Sequence, residues 1–326
     1  MRAAYYETNG AARDVLRVGE VETPSPGPGE VRVRIAASGV NPSDVKAREG
    51  RTRKIAFPRV IPHSDGAGII DAVGSHVATS RIGERVWTWN GQWKRAFGTA
   101  AGFITLPEAL AVRLPEHTSF AEGACLGIPA MTAAHAVAVS GIGPGATALI
   151  AGGAGGVGHY AVQFARAAGA TVIATISSAE KAKLARAAGA DHVVDYKRED
   201  VAERVTALAG GRGVDAVIEL DLAANARLLP GVAHARTKVV VYGTGAQIAE
   251  IPAQLLLTSA VTLEFIFVYE LTRDERAAAL AAIARMLEAR QLLHNIAATF
   301  ALDDIVAAHE AVEGGRALGN VVVAVA

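Results

Sequence analysis

The 326-residue chain predicts an α/β protein in which a doubly wound parallel sheet is inserted into a β-rich domain. Three observations lead there. The length exceeds what one simple core serves and fits two domains. The first third alternates with period two, as in Val31-Arg32-Val33-Arg34-Ile35, between turn clusters such as Pro24-Ser25-Pro26-Gly27-Pro28-Gly29. From about residue 145 short apolar strands alternate with amphipathic helices, the pattern of a parallel sheet with right-handed crossovers.

The elements follow in order. Ala148–Ile150 is a strand, followed by a glycine loop and a helix through Ala168, which Gly169 closes. Thr171–Thr175 is the next strand, and the helix after it, Glu180–Ala188, is closed by Gly189. Strands at His192–Tyr196, Asp215–Leu220, Lys238–Tyr242 and Val261–Val268 continue the series. A long Ala- and Leu-rich helix is expected from about Arg273 to Leu292, and a strand, a helix and a strand close the chain. The β-rich character of the start returns in this tail. The expected division is therefore 1–122 and 269–326 for the β-rich domain and 123–268 for the inserted one.

Composition narrows the class. About half of the residues are apolar, so disorder is not expected. The 32 basic and 32 acidic residues cancel, which argues against nucleic acid or an anionic membrane as a partner. The one cysteine, Cys125, cannot form an internal disulfide or a multi-cysteine metal site, and it fits a reducing, cytoplasmic compartment. The start Met1-Arg2-Ala3-Ala4-Tyr5-Tyr6-Glu7 lacks the apolar core of a signal peptide. Gly123–Gly158 carries no Asp, Glu, Lys or Arg, but Pro129, Pro144 and its glycines mark it as a buried region rather than a membrane span.

Gly153-Ala154-Gly155-Gly156-Val157-Gly158 fits G-x-G-x-x-G, placed between a strand and a helix. In a Rossmann unit such glycines make a tight turn, let backbone approach a pyrophosphate and let helix pack on strand. The helix start then offers its free amides to phosphate. NAD sites carry an Asp or Glu about twenty residues after the motif. Here the second strand ends in Thr175-Ile176-Ser177-Ser178, with Lys181 just inside the next helix and Tyr196-Lys197-Arg198 after the third strand. Hydroxyls and cations without a carboxylate suit a 2′-phosphate, so NADP(H) is the expected cofactor. Ser177 and Glu180 also read as a capping box, and Lys181 as an ordinary solvated residue.

With these pieces in place the chain resembles the zinc-independent quinone oxidoreductases, the zeta-crystallin group of the medium-chain dehydrogenases/reductases. The resemblance runs through Ser38-Gly39-Val40-Asn41-Pro42-Ser43-Asp44, Ser64-Asp65-Gly66-Ala67-Gly68, Gly83-Glu84-Arg85-Val86 and Leu126-Gly127-Ile128-Pro129 with Thr132-Ala133. The glycine loop, Asp191 to Tyr196 and Gly319-Asn320-Val321-Val322 complete it. It implies a GroES-like β domain, built from both ends of the chain, with a cleft against the Rossmann domain in which NADPH passes hydride to a quinone or similar conjugated carbonyl. It further implies Asn41 on the substrate side and Thr132 near the nicotinamide amide. Lys181 and Tyr196 fall near the 2′-phosphate, Gly243 beside the nicotinamide and Asn320 on the segment reaching back to the cofactor.

Zinc relatives in the superfamily use Cys, His and Cys where this chain has Ser38, Ser64 and Ile128. Zinc wants thiolate, imidazole or carboxylate, so no zinc is expected, and His63, at the family's usual glycine position, reads as a packing or cleft residue. Two positions depart from the family: Lys46 replaces a common tyrosine, and Trp87, Trp89 and Trp93 crowd one segment. Lys46 and Trp89 are therefore candidate substrate contacts, with aromatic packing the alternative for the tryptophans.

The expected chemistry is hydride transfer by alignment, with Asn41 hydrogen-bonding the acceptor oxygen as charge develops. Asp44 and Lys46 are candidate neighbours or solvated residues. A 2-enal or enoyl-thioester reductase is the alternative enzyme, and a crystallin-like structural or RNA-binding role the alternative class. The apolar edge strand 261–268 is expected to pair with a second copy as a homodimer.

Overall fold

The computed structural model describes residues 1–315 and 317–325, and its chain divides into two compact units. One comprises Met1–Pro129 with the stretch from Ile296 onward, the other Ala130–Asn295.

The inserted unit carries a six-stranded sheet whose pairings are all parallel. Its order is His192–Asp195, Thr171–Ile176, Thr147–Ile150, Val214–Glu219, Ala233–Val241, Thr262–Phe265. Numbered within the sheet this is 3-2-1-4-5-6, the Rossmann arrangement, which reverses direction between its first and fourth strands. Leu149, Ile173, Val194, Val217 and Val239 meet in the core beneath. The last strand is shorter than the expected 261–268, because a short 3-10 turn takes over at Val268–Glu270.

The boundary of this unit differs from the expected 123–268. Helix Arg273–Glu288 belongs to it, packing on helix Met131–Ser140 and burying Ala279, Ile283 and Leu287. Beyond the helix, the Gln163 side chain hydrogen-bonds both the amide and the carbonyl of Leu293, and Asn295 donates to the Ala154 carbonyl. An Ala-rich helix carries little sign of which core it serves, and these contacts decide it. At the other end, Ala124–Ile128 are buried within the β-rich unit rather than opening the Rossmann unit.

The β-rich unit is built on strand Glu30–Val40, which alternates inward at Val31, Val33, Ile35 and Ala37 and is buried on both faces from Ser38 on. It pairs antiparallel with Asp65–Val73, with Phe103–Pro107 and, as expected from the tail, with Asn320–Ala324. The strand stops at Pro42. The residue before a proline is held extended, and Asn41 has φ −107° and ψ 155°. Proline then opens helix Pro42–Glu49, the Asp44 carboxylate accepts from the Asn41 amide at 2.8 Å, and Gly50 closes the helix at φ 77°. These local rules set Asn41 at the end of a buried strand and the start of a helix.

Candidate active site

In the inserted unit the glycine loop forms as expected. Gly153 donates to the Thr175 carbonyl and Gly152 to the Thr175 hydroxyl, which ties the loop to the second strand. A Cβ at Gly158 would lie 2.2 Å from the Gly152 carbonyl oxygen, and one at Gly153 would strike Ala174 at 2.6 Å. Helix Gly156–Ala167 starts after Gly155, which has no side chain to cap it. The first-turn amides of Gly156, Val157 and Gly158 have no partner inside the helix. A bare helix start beside tight-packing glycines fits a pyrophosphate.

The residues expected near a 2′-phosphate lie after the second and third strands of the sheet. Ser178 rather than Ser177 caps helix Ala179–Ala187, accepting from the Lys181 amide at 3.3 Å. That frees the Ser177 hydroxyl from the expected box with Glu180, and the Lys181 ammonium donates to it at 3.0 Å. The Tyr196 amide bonds the Ile176 carbonyl, and the Tyr196 side chain is exposed. Ser177, Ser178 and Lys181 thus follow the second strand, and Tyr196 follows its neighbour. Gly243 follows the fifth strand, where a Cβ would lie 2.2 Å from the Leu220 carbonyl oxygen. A cavity of about 430 Å³ opens there, lined by Tyr242, Gly243, Thr244 and Phe265. Thr132 is buried on helix Met131–Ser140.

The β-rich unit holds a buried polar cluster that the sequence reading largely missed. Asn41 donates its side-chain amide to Asp65 Oδ2 at 2.7 Å, and the Ile128 amide donates to the same oxygen at 2.8 Å. Asp65 Oδ2 thus receives both donors and holds the Asn41 side chain in place. A Cβ at Gly127 would overlap Asp65 Oδ1, so glycine is required there. Burial pushes the Asp65 carboxyl well above the usual range, with the Asp44 charge adding to it. Asp44 is not solvated. It is buried, and burial raises its carboxyl to about 7 against the opposing pull of the Asn41 amide bond and Arg53. Asp65 lay in plain view inside Ser64-Asp65-Gly66, where the signal was a charged residue amid small residues in an apolar strand. Asn320 is buried at the start of its strand in this unit, and Lys46 is half-buried on helix Pro42–Glu49.

Beside this cluster runs a chain of hydrogen bonds through the zinc relatives' ligand positions. The Thr99 hydroxyl donates to the Asp65 carbonyl at 2.5 Å, so it accepts from Ser38 Oγ, 2.7 Å away. Ser38 then accepts from His63 Nδ1 at 2.8 Å, which leaves His63 Nε2 to accept from His309 Nε2 at 3.0 Å. Burial lowers both imidazoles, His63 to about 3, so both are neutral. His63 sits at φ 77°, the left-handed region that favours glycine. Its ring nitrogens are both engaged, Ser38 and Ser64 carry alcohols, and Ile128 carries hydrocarbon. This set does not fit a zinc ion. Among the described residues no group of three or more His, Cys, Asp or Glu could hold a metal.

Trp87 and Trp89 do not form an open platform. Trp89 is only 2 % exposed, as strand Arg85–Thr88 and the turn after it pack inward, so it has no free ring to offer an acceptor. Trp93 is the tryptophan that reaches a cavity, lined also by Tyr6, Arg53 and Lys94.

A GroES-like β unit and a Rossmann unit define a medium-chain dehydrogenase/reductase. Residues 27–116 match the alcohol dehydrogenase GroES-like domain and residues 156–285 the zinc-binding dehydrogenase family. A quinone oxidoreductase of Sus scrofa is 30% identical over 295 residues, covering 89% of this chain and 87% of its own. A 2-haloacrylate reductase of a Burkholderia species is 30% identical, covering 93% of each. Among solved structures, a mycobacterial protein complexed with NADPH superposes with a TM-score of 0.88 at 30% identity, covering 99% of this chain and 100% of that one. Escherichia coli quinone oxidoreductase complexed with NADPH gives 0.88 at 26%, covering 99% and 100%. The chain belongs to the quinone oxidoreductase family of the medium-chain dehydrogenases/reductases, and it is an oxidoreductase.

Proposed function

We propose that this protein oxidises NADPH and reduces a quinone or a related conjugated carbonyl compound without a metal. The observation that carries the reading is the pairing of a bare, glycine-packed helix start with the Ser177, Ser178, Lys181 and Tyr196 group, a site matched to pyrophosphate plus 2′-phosphate. Relatives named quinone oxidoreductase and solved with NADPH support it. When bound, NADPH supplies the hydride, and with one proton from water a quinone becomes a hydroquinone. The chain's own part is to bind and orient. The Gly156, Val157 and Gly158 amides hold the pyrophosphate, and Lys181 with the nearby hydroxyls holds the 2′-phosphate. Gly243 would leave room for backbone beside the nicotinamide, and Thr132 would lie near its amide. Asn41, its amide locked by Asp65, hydrogen-bonds the acceptor oxygen as charge builds on it.

Metal independence rests on Ser38, Ser64 and Ile128 standing at the ligand positions. An Asn41→Ala enzyme is expected to lose on the order of tenfold or more in kcat, because a preorganised donor to a developing oxyanion is removed. Unchanged kcat and KM in that variant would remove Asn41 from the mechanism. A second reading, reduction of a conjugated carbon–carbon double bond, is favoured by the similarity to the 2-haloacrylate reductase. Turnover of 2-enals in preference to quinones would establish it.

For assembly we propose a homodimer paired along strand Thr262–Phe265. One side of that strand is a sheet edge, and Phe265 and Phe267 are 68% and 54% exposed on the segment. Light scattering at micromolar concentration should give twice the 33.6 kDa chain mass, and a monomer would discard this pairing. A cytoplasmic place is supported by the single, buried Cys125. Among the described residues no helix is long and apolar enough to cross a membrane.

A further inference from the structure

Strand Asp65–Val73 opens with an acidic residue that is 0% exposed. The two oxygens of its carboxyl are treated unequally. Oδ2 accepts from the Asn41 side-chain amide at 2.7 Å and from the Ile128 backbone amide at 2.8 Å. Oδ1 is buried and has no hydrogen-bond partner. A Cβ on Gly127 would lie 2.1 Å from Oδ1 and 2.9 Å from the Thr88 carbonyl oxygen. Oδ1 therefore looks onto a glycine and shares that wall with an acceptor, not with a donor. An ionised carboxylate has about four lone-pair sites to satisfy, and a buried oxygen without a donor is costly for it. The same oxygen suits a carboxylic acid, which places its proton there and keeps Oδ2 as the acceptor of both N–H groups.

The charges nearby agree. Asp65 is bordered by Asn41, by Gly127 and Ile128, by the Thr88 carbonyl and by the Thr99 hydroxyl, which donates to its backbone carbonyl at 2.5 Å. Among these groups there is no cation. The Cys125 thiol is raised by its burial and then by Asp65, so it is neutral as well. The charged group that bears on Asp65 is a second acid, Asp44, and together with burial it raises the Asp65 carboxyl well above the usual range. Arg53 and the Ser64 amide bear on Asp44, where burial outweighs them. The consequence falls on Asn41. A side-chain amide carries two N–H groups on one nitrogen. Asp65 takes one and so orients the other. A full negative charge just behind that nitrogen would oppose a second negative charge growing in front of it. A neutral acid holds the amide in the same geometry without that opposition.

We infer that Asp65 is a neutral carboxylic acid that positions the Asn41 amide for the acceptor oxygen, so that the two side chains form one uncharged hydrogen-bond donor. The inference rests on the NADPH-dependent reduction proposed above and deepens it. Asp65 is a positioning residue. Being fully buried, it acts through Asn41 and takes no part in hydride transfer.

Two measurements test it. The first needs no turnover and is the infrared difference spectrum between the wild type and Asp65→Asn at neutral pH. The variant should lack a carbonyl band of a protonated carboxylic acid. Loss of carboxylate stretching bands in its place would overturn the neutral acid. An Asp65→Asn chain that does not fold would overturn it too, because an amide keeps an acceptor for both N–H groups and changes no charge. The second is a double-mutant cycle on kcat with 1,4-naphthoquinone at saturating NADPH, using Asn41→Ala, Asp65→Ala and the two together, with Asp65→Ser in place of Asp65→Ala if the latter does not fold. Asp65→Ala should lose on the order of tenfold in kcat, Asp65→Asn should recover most of that loss, and the double variant should fall no further than Asn41→Ala. Losses that multiply in the double variant would show that Asp65 does not act through Asn41 and would overturn the positioning role. If the wild type reduces no quinone, the positioning role falls with the proposed activity, while the infrared bands still decide the state of the acid.

Discussion

The glycine loop of the inserted unit and the Asn41–Asp65 cluster of the β-rich unit are assembled by opposite means. The loop works through backbone. Its amides, its turn and its close packing on Gly152 and Ala174 are consequences of residues with no side chain, contiguous in sequence. The cluster works through buried side chains drawn from five separate stretches, at Ser38–Asp44, His63–Asp65, Thr99, Ile128 and His309. The first is local and leaves no room for a Cβ at Gly153 or Gly158. The second is distributed and depends on partners from distant segments, and it leaves Asp65 Oδ1 and His309 Nδ1 buried without a hydrogen bond.

The largest effect is expected where an atom is added to the loop. Gly158→Val would drive a side chain into the Gly152 carbonyl, only 2.2 Å from the new Cβ, and so displace the helix start. NADPH affinity, read by fluorescence titration, should fall by about a hundredfold or more, the scale of losing several charge-assisted hydrogen bonds. Near-native affinity in this variant would break the claim that the loop admits no side chain.

The cluster should show itself in pH dependence. The Asp44 carboxyl is raised in the folded chain to about 7 by burial, from the ordinary aspartate value of 3.8. The folded state therefore binds its proton more tightly than the unfolded state. The stability this contributes is fully present below about pH 4 and is lost as pH rises through 7. The loss is on the order of 4 kcal/mol by linkage, with Asp65 acting in the same direction. Urea unfolding of Asp44→Asn across that window should show a flatter profile than the wild type. An identical slope in the two proteins would mean that Asp44 titrates normally.

A smaller effect is expected at the histidine pair. His309→Ala removes the donor to His63 Nε2, leaves a buried acceptor unpaired and opens a cavity, at a cost of about 2 kcal/mol. NADPH affinity should hold, since the nucleotide group lies on the other unit. A loss of nucleotide affinity equal to that of Gly158→Val would erase the distinction between the two regions.

The contrast also explains what the sequence made legible. Strand–helix alternation and glycine spacing announced the Rossmann sheet, and the offsets along it singled out Lys181 and Tyr196 as candidates for the 2′-phosphate. Asn41 was visible through its Asn-Pro step, a local rule. Asp65 carried the signal of a charge amid small residues, but Thr99 and His309 carried none, because their contacts arise only when distant segments come together. Helix Arg273–Glu288 was assigned to the wrong unit because small alanines leave its packing partner unmarked in sequence. Trp89 was offered as an acceptor platform because aromatic crowding reads alike for a binding wall and for a core, and its burial favours the core.

The account's central claim is NADPH-selective, metal-free reduction of a quinone. Its most direct test is loss of the reduced-nicotinamide absorbance with a quinone acceptor, run with NADPH and with NADH, with a chelator present, in the wild type and in Lys181→Ala. Oxidation that resists the chelator, prefers NADPH and loses about tenfold of that preference in Lys181→Ala is the predicted result. Equal use of both nucleotides, or activity abolished by the chelator, would contradict it.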